Sequence, residues 1–233
     1  MLDLKNVTLV MCSTQEDKKT SNEELIEKLK SKINFGRCVV LSNEEYRHVD
    51  KTFIIEKMNS LEDYSYNCFH AIPKVIDTPF SMWIQWDGFP LNIDKWNPEF
   101  LEYDYIGAPW AWRSWNSSDG GAAGMNGGFS LRSKRLTDLM DRIGPPHDRW
   151  HEDAVVTDLF RKFFLQERCR FAPIELAGTF SKELNVILGT NMTQEQSIAL
   201  DEEKSSFKMR DTFGFHNKER VDEAKVIFER NFK

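Results

Sequence analysis

Several things are scarce in this sequence, and each scarcity removes a class of protein. There are four cysteines, Cys12, Cys38, Cys68 and Cys169, and they form no Cys-x-x-C pair. A zinc ribbon is therefore excluded, and reduced thiols are expected. No apolar run approaches the ~20 residues of a membrane-spanning helix, so no membrane span is expected. No cluster of Lys and Arg stands out, and the net charge is -6. Affinity for a phosphate backbone needs clustered cations that displace counterions, so nucleic acid is not an expected partner. The first residues show no cationic stretch leading into a long apolar one. A cytoplasmic location is expected, with the acceptor patterns at Asn6, Asn116 and Asn191 unmodified. No internal repeat or clear boundary is visible, and 233 residues suit a single α/β domain spanning 1–233.

What is present is an alternation of short apolar runs and helical patterns. Val7–Met11 reads as a first strand, closed by Cys12-Ser13-Thr14. Ser21 and Glu24 have the spacing of a capping box. Leu25, Ile26, Leu29 and Ile33 follow at helical spacing, and Gly36 reads as the stop. Cys38–Ser42 is the next strand, so the opening is a βαβ unit with a parallel sheet. Thr52–Ile55 is a third strand. Leu61–Ile72 reads as a helix ended by Pro73. Tyr105-Ile106-Gly107 is a short strand. Arg113–Met125, rich in Ser and Gly, reads either as a lid or as a plain surface loop. Asn126-Gly127 predicts a tight turn feeding a short strand. Ser133 caps a helix bearing Leu136, Leu139, Met140 and Ile143, ended by Gly144. A further helix starts near Glu152 with an apolar face of Val155, Val156, Leu159, Phe160 and Phe163. The last is amphipathic, through Val221, Ala224 and Phe228.

The stretch Ser81–Phe89 stands out. Trp83, Ile84 and Trp86 predict a buried strand, and Asp87 precedes Gly88, where the backbone can turn sharply. Alternation places Gln85 and Asp87 on one face. Ligands gather beyond the carboxyl ends of strands in open α/β sheets, so Asp87 is a candidate for holding a metal or polar ligand, or else an ordinary turn-capping Asp. Gly127 and Gly128 allow close approach of backbone to a ligand. Glu152-Asp153 opens a helix, where the dipole favours carboxylates. One of the two can also serve as a general base that deprotonates a hydroxyl. If His216 folds back beside Asp87, the pair with a diphosphate suits Mn²⁺ or Mg²⁺. His147 and His151 have zinc-ligand spacing, which Pro145-Pro146 makes a poor fit to a helix.

Together these segments resemble an uncharacterised glycosyltransferase-like domain found in bacteria, fungi and large viruses. The resemblance rests on Gln85–Phe89, Asp104–Trp110, Asn126–Ser133, Glu152-Asp153, Phe171-Ala172-Pro173 with Phe180-Ser181, and Phe213–His216. It runs in order from about residue 60 to 217. It implies a Rossmann-like three-layer α/β/α sandwich of glycosyltransferase-A type, with a mixed, mostly parallel central sheet. Residues 1–80 would be the nucleotide-binding half, 81–217 the metal, donor and acceptor half, and 218–233 a C-terminal helix.

The resemblance also assigns roles. Val10, Met11, Cys12, Ser13 and Thr14 would hold the nucleobase, with Gln85, Asp87 and Gly88 at the donor diphosphate. Asp87 and His216 would bind a divalent cation, Mn²⁺ or Mg²⁺. Asp153 would act as base beside Glu152. Asn126, Gly127 and Gly128 would line the sugar or acceptor pocket, and Trp110 and Trp112 would stack on a sugar. The implied activity is transfer from a nucleotide-sugar donor to a hydroxyl of a glycan, lipid-linked or protein-linked acceptor, with inversion if the displacement is single. Gln85 stands where the usual Asp-x-Asp motif has its first carboxylate. That departure leaves open a non-catalytic carbohydrate- or nucleotide-binding module. A metal-dependent hydrolase or nucleotidyltransferase using Asp87, His147, His151 and Glu152 is a third reading.

Overall fold

A computed structural model describes residues 1–110, 115–145, 151–183 and 208–232. Its strands, in chain order, are β1 (Leu2–Cys12), β2 (Ile33–Ser42), β3 (Lys51–Ile54), β4 (Phe80–Ile84), β5 (Gly88–Pro90), β6 (Tyr105–Pro109), β7 (Trp115–Asn116), β8 (Ala122–Ala123), β9 (Met125–Ser133), β10 (Ser181–Glu183) and β11 (Gly214–His216). The helices are α1 (Lys19–Lys32), α2 (Leu61–Tyr66), α3 (Ile72–Val75), α4 (Lys134–Ile143), α5 (Glu152–Ala154), α6 (Arg161–Gln166), α7 (Ile174–Phe180) and α8 (Val221–Asn231).

The central sheet has six strands in the order β3-β2-β1-β4-β9-β6. β1 pairs in parallel with β2 and β4, and β9 runs antiparallel to both β4 and β6. The fold is thus the expected mixed α/β architecture, a mostly parallel sheet flanked by helices. Its central strands are apolar nearly throughout because both faces are covered: Val7–Cys12 of β1 and Cys38–Ser42 of β2 are buried without alternation. One hydrophobic core runs from Leu4 to Phe232. All four cysteines are free and buried.

A second sheet, β10-β11-β5, stands beside the first. Aromatic packing holds it there. Phe129 of β9 stacks on Phe180 at 4.8 Å, and Phe213 contacts both rings. Phe89 meets Phe215 edge-on at 4.9 Å. Such pairs add roughly 0.5–1.5 kcal/mol each beyond area burial.

Several local expectations are corrected. α1 begins at Lys19 with no side-chain cap; Ser21 lies inside it and donates to the Lys18 carbonyl. The helix ends at Lys32, and Gly36 lies within β2. A side chain at 36 would strike the Lys5 carbonyl, 2.0 Å from its Cβ, at the irregularity in β1 between Leu4 and Thr8. Pro73 does not end its helix. A π turn, Asn67–Ala71, precedes it, and Pro73 falls in the first turn of α3, where a missing N–H is harmless. Asn126-Gly127 forms no hairpin turn; it lies inside the wholly buried β9, at the stretch where the register with β6 shifts between Gly107 and Pro109. After α5 a π turn, Val155–Leu159, rotates the helical face, leaving Leu159 and Phe160 exposed and turning Phe164 inward. The described part of the expected lid is the β7–β8 hairpin. Arg161 donates to the Ala122 and Gly121 carbonyls at 2.7 and 3.1 Å and pairs with Asp119 at 2.8 Å, which fixes this segment to the body. Ser133 caps α4 as its sequence predicts, accepting from the Leu136 amide.

Candidate active site

β4 ends at Ile84, three residues short of Asp87, where the sequence reading ended the strand. Gln85 and Gly88 then exchange backbone hydrogen bonds of 2.8 and 3.1 Å, making Trp86-Asp87 a two-residue hairpin loop into β5. This turn carries the chain from the central sheet to the second one. It also sets Gln85, Trp86 and Asp87 on the wall of a cleft of about 600 Å³. The end of β1, Cys12-Ser13-Thr14, forms another wall. Parallel neighbours ending side by side leave this crevice beyond their carboxyl ends. Asn126, Gly128, Glu152, Asp153 and His216 also line it, with Tyr64, His151 and the segment from Met58 to Leu61.

At one side lies Asp153. Its Oδ2 accepts from the Gly127 amide at 2.9 Å and its Oδ1 from the Ala154 amide at 2.7 Å. Burial, and then the neighbouring Glu152 carboxylate, push its carboxyl up to about 8, against the two backbone donors. Glu152 points away into the protein. Its Oε1 accepts from Arg132 at 2.7 Å. The Arg132 guanidinium is fully buried, lies 3.6 Å from the Trp83 ring centroid, and donates also to Ser130 Oγ and the Gly127 carbonyl. One cation thus neutralises the buried Glu152 and ties it to β9.

At the other side lies His216. Its Nε2 is 3.3 Å from Gln85 Oε1 and 3.9 Å from Asp87 Oδ1. Gln85 Nε2 donates to the Tyr64 hydroxyl at 2.7 Å, which turns the amide oxygen toward the imidazole. The Asn217 amide bonds the Asp87 carbonyl at 2.8 Å and holds the turn against β11. The ring has room only because two neighbours are glycines. A Cβ at Gly88 would lie 2.7 Å from His216 Cδ2, and one at Gly128 2.3 Å from Nε2. Burial raises the Asp87 carboxyl, opposed by His216. For His216 burial disfavours the charge, but Glu183, Asp87 and Asp153 outweigh it and raise the imidazole. Among the described residues, Asp87 Oδ1 is buried without a hydrogen-bond partner. Carboxylate oxygen, amide oxygen and imidazole nitrogen at these separations can share one small divalent cation, whose ~2.1 Å bonds set octahedral ligands about 3–4 Å apart. No group of three His, Cys, Asp or Glu among the described residues converges at metal-ligand spacing, so Gln85 and oxygens of a bound ligand would be needed too.

Not every residue of the sequence reading reaches the cleft. Val10 and Met11 are buried in β1 beneath it. Gly88 and Gly127 are buried and act by leaving space. Trp110 is partly buried, its amide bonded to the Gly124 carbonyl, and does not line the cleft. Trp112 and His147 lie outside the described residues. Sequence reasoning missed Tyr64, Arg132 and Glu183. The register Glu183–His216–Gly88 across β10, β11 and β5 places Glu183 beside the imidazole. Only the Phe-Ser pair at 180–181 lies near it in the sequence motifs.

The fold is a mostly parallel α/β sheet with a polar, carboxylate- and imidazole-lined cleft at its strand ends. The chain belongs to the family described as a protein of unknown function (DUF5672), whose profile matches residues 67–199. The fold is shared with a glycosyltransferase involved in the glycosylation of the major capsid of PBCV-1, at a TM-score of 0.52 and 13% identity over 94% of this chain and 98% of that one. Similarity extends to the apo-form glycosyltransferase GlyE of Streptococcus pneumoniae TIGR4, at a TM-score of 0.49 and 11% identity over 97% of this chain and 62% of that one. No curated protein sequence matches. At 13% identity the likeness to the PBCV-1 enzyme shows the fold alone. Among the described residues no helix is long and apolar enough to cross a membrane.

Proposed function

We propose that this protein transfers a sugar from a nucleotide-sugar donor to an acceptor hydroxyl. The observation that carries this reading is convergence. The end of β1, Gln85, Asp87, Asn126, Gly128, Glu152, Asp153 and His216 come from distant parts of the chain and line one cleft, in a fold shared with a glycosyltransferase. Cys12, Ser13 and Thr14 offer the wall for the nucleoside. Asp153 is positioned as the base: its backbone donors orient it, and Glu152, held by Arg132, keeps a negative charge beside it. A proton taken from the acceptor hydroxyl would reside on an Asp153 oxygen. Asp87, His216 and Gln85 would hold a divalent cation, Mn²⁺ or Mg²⁺, which when bound neutralises charge on the leaving diphosphate. The unpaired Asp87 Oδ1 is the observation that fits it. A single displacement with Asp153 as base would invert the anomeric centre.

A non-catalytic binding module is the second reading, because both Asp153 oxygens already accept backbone hydrogen bonds. Calorimetric titration with nucleoside diphosphates and nucleotide-sugars, each with Mn²⁺ and with EDTA, tests both. Metal-dependent binding that is lost in Asp87→Ala, followed by release of nucleoside diphosphate on adding acceptors, is the expected result. Binding without any release favours the binding module, and no nucleotide binding under either condition refutes the transferase reading.

A further inference from the structure

Glu183 belongs to none of the sequence motifs, yet it lies against the His216 imidazole that lines the cleft. Its Oε1 is 3.7 Å from His216 Nδ1, on the ring edge opposite Gln85 and Asp87. Asn126 Nδ2 donates to the same oxygen at 3.4 Å, while Asn126 Oδ1 accepts from the Gly128 amide at 2.6 Å. Glu183 is therefore held from β9 by one side chain and from β11 by strand register. Three buried polar atoms in this small region have no hydrogen-bond partner among the described residues: Asp87 Oδ1, His216 Nδ1 and Glu183 Oε2. Buried polar atoms left unpaired are rare and call for a reason. In the neutral imidazole, a donated Nδ1–H from His216 to Glu183 would leave Nε2 bare and facing Asp87 Oδ1, the orientation a cation ligand needs. The ring packs closely against the backbone at Gly88 and Gly128, where any side chain would displace it.

We propose that Glu183 is a positioning residue: it takes the Nδ1 proton of His216 in a hydrogen bond and presents Nε2, with Asp87, to a divalent cation. The inference rests on the cation reading of the same cleft. Carboxylates in this role typically change metal affinity by about 10–100-fold.

Mn²⁺ affinity, read from the electron paramagnetic resonance signal of free Mn²⁺ with nucleoside diphosphate present, tests it without measuring turnover. Glu183→Ala should bind about 10–100-fold more weakly than the natural sequence. Glu183→Gln, whose amide oxygen still accepts from Nδ1–H, should recover part of that loss. The deciding variant is the pair Glu183→Ala with His216→Ala. If Glu183 acts through His216, the pair should bind no more weakly than His216→Ala alone. Equal affinity in Glu183→Ala and the natural sequence overturns the proposal and leaves the cation reading standing. Additive losses in the pair overturn it as well, and make Glu183 a ligand in its own right or a scaffold residue. Absence of Mn²⁺ binding by the natural sequence removes the cation reading and this inference with it.

Discussion

Asp153 shows how the surroundings of a single carboxylate set its hold on a proton. Desolvation and the Glu152 charge raise it to about 8, so between the usual carboxylate range and that value the folded protein holds a proton that the unfolded chain has released. The basic form accumulates only as pH rises through about 8. If Asp153 is the base, turnover should climb from neutral pH to a plateau above that point. In Asp153→Asn the limb should vanish and turnover fall by about 10²–10⁴. A pH–rate profile checks both, and a profile unchanged by the substitution removes Asp153 from the chemistry. The same shift makes this group's contribution to stability fall as pH rises across the interval, since the unfolded state binds fewer protons there. Arg132 sits beneath this pair. Arg132→Met leaves Glu152 buried without its partner and should cost about 3–5 kcal/mol in urea unfolding. Adding Glu152→Gln should return part of the loss, because the orphaned charge is then gone.

At the scale of elements, β9 decides the most. It pairs with β4 and β6, and its buried face joins the second sheet through Phe129. Its glycines face Glu152, Gln85 and His216. A Cβ at Gly127 would lie 2.1 Å from Glu152 Oε1, and one at Gly128 2.6 Å from Gln85 Oε1. Gly128→Ala should therefore fold but displace His216 and Gln85. A misplacement of about 1 Å at such a site can cost about 100-fold in kcat/KM, and circular dichroism should remain native. Wild-type kinetics in that variant would place the reacting groups elsewhere. The two π turns, Asn67–Ala71 and Val155–Leu159, adjoin the helical pieces that carry Tyr64 and Asp153. π turns recur where helices serve a site.

For the whole molecule, the cleft is formed by β1, α2, the β4–β5 turn, β9, α5 and β11 together. A ligand bound there stabilises elements distant in the chain at once. At 100 times its Kd such a ligand adds about 2.7 kcal/mol, which for a chain of this size is roughly 5–10 °C in Tm. Thermal unfolding with nucleoside diphosphate and Mn²⁺ should show that shift, and EDTA should remove it. The shift should be absent in Asp87→Ala.

The alternation of apolar runs and amphipathic segments was enough to read the βαβ opening, α4, α8 and the α/β class, because burial of one helical stripe or of a whole parallel strand leaves a periodic mark in the residues themselves. The motifs likewise named Asp87, Asn126, Gly128, Glu152, Asp153 and His216, which the fold brings to one cleft. What the chain order could not reveal is partnership. The two glycines of β9 have the composition of a turn, and only the side chains packed against them explain why they are needed in a strand. Arg132 reads as one charge among many until Trp83 and Glu152 enclose it. Glu183 and His216 meet by strand register between segments far apart in sequence, and register follows from which rings fill the core around Phe129, Phe180 and Phe213. Periodicity is a local property and survives in the sequence; the contacts that give each site residue its charge, its orientation and its room are long-range and exist only once the core has closed.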